Sequence, residues 1–177
     1  MRALLVAAIV LAFTACGGRS IPVTEMPDTQ SVAAQPDAGI RIFTANRDGG
    51  SILAFSAKAS GNVAPAVTIA GSKTTLTDPD SMALDAAGNI YAANDGGTTV
   101  AVFAANAHGN ATPLATITGI SYATGVVADA KDHIYVADFS GNSIKEFAKN
   151  ANGNATPLRT IQGSNTTLSG ANFLALY

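Results

Sequence analysis

The sequence predicts an all-β fold assembled from repeated four-stranded units. Three observations carry that expectation: a turn-rich composition, self-similarity at a fixed period, and short β-branched or aromatic runs bounded by turn residues. Seventeen glycines and seven prolines in 177 residues suit short strands and tight turns better than long amphipathic helices. With 47% apolar and 12% charged residues the chain can bury a core, so wholesale disorder is excluded. The formal net charge is −2, or −3 once Arg2 is removed with a leader (nine basic against twelve acidic side chains). That leaves no electrostatic footprint for DNA or RNA.

The repeat is read by laying the chain against itself. Phe55, Phe103 and Phe147 recur with Asn62, Asn110 and Asn154, with Pro65, Pro113 and Pro157, with Ile69, Ile117 and Ile161, and with Gly71, Gly119 and Gly163. Every set steps by 48 and then by 44, and the four extra residues fall in one loop between Gly71 and Asp85. Gly-Asn-Ala-Thr-Pro-Leu is identical at 109–114 and 153–158, with Gly61-Asn62-Val63-Ala64-Pro65 as its first counterpart. A period of this length is the signature of a solenoid or propeller.

Each complete unit holds four strand candidates. In the best-preserved unit they are 125–129, 133–138, 143–148 and 157–162, and in the preceding one 81–85, 89–94, 99–104 and 113–118. Four strands per 44 to 48 residues make one propeller blade. Asp85 and Asp129 open the turns between first and second strands, where an Asp side chain accepts backbone N–H bonds. A carboxylate ring around an axis is the other role open to these two residues. Ile90-Tyr91-Ala92-Ala93 and Ile134-Tyr135-Val136-Ala137 are almost continuously apolar, as expected of strands packed on both faces.

The pattern Ile134-Tyr135-Val136-Ala137-Asp138, then Gly141-Asn142-Ser143-Ile144, then Phe147 resembles the NHL-repeat and SMP-30-like propellers. The likeness covers residues 39–177, with repeats starting near 39, 81 and 125. It implies blades around a central channel, usually six in that group, and it does not fix a function. The first unit offers only its second, third and fourth strands, at 40–46, 51–56 and 66–70. Residues 172–177 align with the first strand of another unit, Leu176 matching Leu84. About three blades in permuted form result, a partial or open propeller. A truncated gene and a homodimer completing a six-blade ring are the two accounts of this count.

The N-terminus reads as an address. Residues 1–15 have a signal-peptide layout: Met1-Arg2, an apolar run of eleven residues from Ala3 to Phe13, then small residues. Such a run extends about 16 Å as a helix, too short to span a hydrocarbon core of about 30 Å. Phe13-Thr14-Ala15-Cys16 resembles the bacterial lipobox, which implies cleavage before a lipidated Cys16. Residues 16–38, with Pro22, Pro27 and Pro36, read as the lipidated cysteine and a flexible tether. Gly17 stands where an inner-membrane retention aspartate is found in some bacteria, which points to the outer membrane or cell surface. A plain secretory signal with Cys16 left as a thiol is the alternative.

Candidate chemistry is sparse. A metal-dependent lactonase of the SMP-30 type implies convergent Glu, Asn and Asp ligands, yet the glutamates are Glu25 in the tether and Glu146 beside Lys145. Glu146 is expected on a solvated strand face, and His108 and His133 are expected as surface residues. No Gly-x-Ser-x-Gly elbow, phosphate loop or paired Cys/His spacing is present. No catalytic residue, metal or cofactor is therefore assigned, and the Asn110 and Asn154 sequons are read as turn elements. The expected function is an envelope-anchored, non-catalytic module for a protein or glycan partner. A degenerate SMP-30/gluconolactonase-like hydrolase or lyase and a non-functional fragment are the alternatives.

Overall fold

A computed structural model describes residues 39–95 and 97–177. The leader, Cys16 and the tether lie outside the described residues. Among the described residues eleven strands form three antiparallel sheets, with no α-helix. The first sheet holds β1 (Arg41–Asn46), β2 (Ser51–Ser56) and β3 (Val67–Ile69). The second holds β4 (Pro79–Leu84), β5 (Ile90–Asn94), β6 (Val100–Phe103) and β7 (Ala115–Ile117). The third holds β8 (Ala123–Ala128), β9 (Ile134–Asp138), β10 (Ser143–Phe147) and β11 (Arg159–Ile161). Each sheet pairs its strands in chain order, as a propeller blade does.

The strand positions follow the sequence pattern with two instructive differences. The first strands begin earlier than expected, at Pro79 and Ala123, because a register irregularity in each inserts one residue before Ser81 and before Gly125. The C-terminal 172–177 segment, aligned with a first strand, forms no strand. Its backbone lies against β8, where Asn172 O and Phe173 occupy the space a Cβ at Gly125 would need.

Packing is between blades. Ile52 and Ile69 of the first blade share a buried cluster with Ile90, Ala92, Ala101 and Phe103 of the second. Tyr91, Val100 and Ile117 of the second share another with Ile134, Val136 and Phe147 of the third. Fully burying each of these large side chains contributes roughly 1.5–3 kcal/mol. The repeated Gly-Asn turns stitch the outer strands together. Gly109 N–H donates to Thr68 O (2.7 Å) and Gly109 O accepts from Ala70 N–H (3.0 Å); Gly153 does the same with Thr116 and Thr118, both at 2.8 Å. At these seams Gly71 and Gly119 sit against Asn110 and Asn154, leaving no room for a Cβ, which would lie 2.6 Å from the Asn side chain. The repeated Gly and Asn are thus two halves of one contact.

Candidate functional site

Antiparallel pairing sorts the connections onto two ends of the blades. One end carries the turns between first and second strands and the loops between third and fourth. On that end Asp85 Oδ1 accepts N–H bonds from Ala87 (2.9 Å) and Asn89 (2.8 Å), and Asp129 Oδ1 accepts from Lys131 and His133, both at 2.8 Å. Gly88 and Asp132 turn the chain with φ of +82° and +63°. Both aspartates therefore cap their own hairpins. Burial alone would raise their pKa, but these bonds hold both carboxyls below the usual value. The same aspartates accept from Tyr91 and Tyr135, and burial followed by the Asp85 charge pushes Tyr91 up to about 12.

The third blade adds a charged group to this motif on its outward face. His133 replaces Asn89 and places Nδ1 3.0 Å from Asp129 Oδ2 and 3.7 Å from Glu146 Oε1. Glu146 itself is 5% exposed and hydrogen-bonded by Arg159 Nε, which lowers its pKa. The expectation of a solvated Glu146 is corrected here: Arg159, across the β10–β11 ladder, covers it. His133 is likewise half-buried and partnered rather than simply a surface residue, whereas His108 is exposed as expected. Among the described residues no group of three His, Cys, Asp or Glu is placed to hold a metal.

The opposite end carries the turns between second and third strands and the connections between blades. A ridge of side chains crosses all three blades there. Arg47, after β1, pairs with Asp95 after β5 and lies 3.9 Å from Asp80. Asp95 also accepts from the Tyr122 phenol, which raises the Tyr122 pKa. The Tyr122 ring meets Phe139 at 5.9 Å between centroids, tilted by 57°. Phe139 is 44% exposed and rests on Gly170, where a Cβ would lie 2.8 Å from its ring.

Beneath the ridge, the residue that ends each second strand anchors the loops. Asn94 bonds Thr77 N–H, Thr75 O and Thr99 Oγ1 at 3.0, 3.1 and 2.9 Å. Its counterpart Asp138 is fully buried and accepts from Lys145 Nζ (2.8 Å), Ser121 N–H and Tyr122 N–H (both 3.0 Å) and Gly141 N–H (3.1 Å). Burial would raise the Asp138 pKa, but these donors outweigh it and hold the group ionised. The bond between Asp138 and Tyr122 N–H fixes the backbone of the ridge aromatic. Sequence reasoning missed the ridge because Arg47, Asp95 and Phe139, which share one repeat position, are three different residue types; the one available signal was the recurring Asn46, Asn94 and Asp138 just before them at the strand ends.

No protein-family model matches the chain, and no curated protein matches it. Solved structures do share its fold. It is similar to hydrazine synthase of Kuenenia stuttgartiensis, with a TM-score of 0.58 at 16% identity over 75% of this chain and 34% of that one. It is also similar to U3-55K (TM-score 0.53, 18% identity, 70% of this chain and 36% of that one) and to the RRP9 WD40 repeats (0.53, 19%, 70% and 35%). The chain thus spans about a third of the length of these structures. The fold they have in common with it is that of β-propeller blades.

Proposed function

We propose that this chain is a lipid-anchored envelope protein whose propeller blades bind a protein partner without catalysing a reaction. The observation that carries the reading is the ridge of Arg47, Asp95, Tyr122 and Phe139. It crosses three blades, is held from below by Asn94 and Asp138, and presents Arg47, Tyr122 and Phe139, residue types enriched at protein interfaces, around the buried Asp95. Its likeness in fold to the RRP9 WD40 repeats agrees with a recognition role. The carboxylates Asp85, Asp129, Asp138 and Glu146 are each engaged by hydrogen bonds within the blades. The lipobox at Cys16 and the Pro-containing tether support display from the membrane.

Site-specific photo-crosslinking in cells tests the reading. A crosslinking side chain at Phe139 is expected to trap a discrete protein adduct. The same group at Leu114, exposed on the opposite end, is expected to trap none. Equal labelling at both sites, or no adduct at Phe139, would refute the proposal.

A further inference from the structure

We propose that the end of the blades opposite the ridge rests on the bilayer, its exposed leucines in the acyl boundary and its lysines on anionic headgroups. The proposal rests on the lipid-anchored reading above and adds an orientation to it: hairpin turns toward the membrane, ridge away from it. It starts from the hexapeptide that the second and third blades share. Gly109 and Asn110, like Gly153 and Asn154, build the seams, and Ala111 and Ala155 pack against the buried clusters. The closing Leu114 and Leu158 do neither and are 63% and 54% exposed. Leu114 keeps that exposure with the third blade packed beside it, so exposure belongs to the repeat position itself. Each leucine opens an outer strand at the hairpin end, where Leu114 N–H donates to Val102 O and Leu158 N–H to Glu146 O, both at 2.7 Å. Leu84, which ends β4 on the same end, is also exposed.

Charge separates the two ends. At the hairpin end Lys131 and Lys149 are exposed and form no ion pair with a described residue. Lys149 lines one groove with Leu114, so cation and apolar side chain share a surface. The carboxylates of that end face backbone N–H groups. Asp85 and Asp129 cap their own turns, and Asp132 Oδ1 accepts from Ala86 N–H across the seam at 3.2 Å. At the ridge end Asp48, Asp78, Asp80, Asp95 and Asp138 outnumber the basic side chains Arg47, Lys73 and Lys145. An anionic lipid surface therefore attracts the hairpin end and repels the ridge end.

The path of the chain agrees with this orientation. Arg41 opens β1 opposite Ser56, and Ile40 O accepts from Ala57 N–H at 2.9 Å, both at the hairpin end. The segment leading from Cys16 thus joins the described blades on the side of the lysines and leucines, away from the ridge. A lipid on Cys16 makes the surface contact intramolecular, so a few side chains suffice that would not hold the domain from solution. The ridge is then left open to a protein partner.

The test uses the lipidated full chain, its Cys16 thiol blocked by the lipid, on vesicles of phosphatidylethanolamine and phosphatidylglycerol. An environment-sensitive fluorophore is placed on Leu114→Cys, Leu158→Cys or Phe139→Cys. Brominated lipid is expected to quench the two hairpin-end probes at least about threefold more than the Phe139→Cys probe. Lys131→Glu/Lys149→Glu is expected to lower the quenching at Leu158→Cys at least about threefold, with circular dichroism showing these exposed changes still folded. Equal or absent quenching at the three positions in the lipidated chain would overturn the proposal and leave the anchor standing. Blue-shifted emission at Leu158→Cys without quenching would assign the leucines to a protein surface and would overturn it as well. A chain that incorporates no labelled fatty acid would overturn the anchor reading, and the proposal with it.

Discussion

Asp138→Asn replaces a buried carboxylate by an amide of nearly the same shape and asks what the charge itself contributes. Four donors converge on Asp138: Lys145 Nζ and Ser121 N–H on Oδ2, Tyr122 N–H and Gly141 N–H on Oδ1. In the variant one oxygen becomes an NH₂ that cannot accept, so two of these donors face another donor and Lys145 loses its counter-charge. Breaking a buried ion pair costs about 3–5 kcal/mol. Lys145 keeps 18% exposure of its side chain and regains some water, so the lower end, about 3 kcal/mol, applies. With a urea slope of about 2 kcal/mol/M the unfolding midpoint should fall by about 1.5 M at pH 7. The pH dependence has a definite sign. The folded pKa of Asp138 lies below its unfolded value near 3.8, so its contribution is complete above that value and is lost as pH falls through the lower, folded pKa. The gap between wild type and variant should stay constant from pH 7 to about 5 and narrow below about 4. Urea titrations followed by circular dichroism at pH 7, 5 and 3.5 measure it. A loss under about 0.5 kcal/mol, the size of an ordinary surface change, or a gap that widens in acid, would refute the reasoning.

Phe103→Ala and Phe147→Ala empty sites that are 0% exposed and should each cost about 3–5 kcal/mol by chemical denaturation, whereas Phe139→Ala on the ridge should cost far less. Gly119→Ala places a methyl 2.6 Å from Asn154 Oδ1 at a φ of +81° and should cost about 1–3 kcal/mol. Adding Asn154→Ala relieves the clash but not the backbone strain, so the double variant should lose less than the sum of the two, as read from a double-mutant cycle. Cys16→Ser should abolish incorporation of labelled fatty acid and move the chain from the membrane fraction to the soluble one after export.

The blade architecture was legible because the repeat writes it out three times. Phe55, Phe103 and Phe147 located the third strands, and the Asp85 and Asp129 turns located the hairpins, since period, turn chemistry and burial pattern all agreed. What the repeat does not encode was not legible. The ridge residues Arg47, Asp95 and Phe139 share one repeat position but not one residue type, so no recurring side chain marked them. Glu146 was misjudged because its cover, Arg159, lies on the neighbouring strand across a loop of more than ten residues, beyond any local pattern. The Gly–Asn contact was visible as two recurring residues but not as one contact, because its halves belong to different blades.

Amide hydrogen exchange at Gly109 and Gly153 tests the account at its centre, that Gly-Asn turns join each blade to the one before it. Gly109 and Gly153 N–H groups donate to Thr68 O and Thr116 O at 2.7 and 2.8 Å and should exchange as slowly as core-strand amides. Rapid exchange at Gly109 and Gly153 would contradict the blade seams themselves.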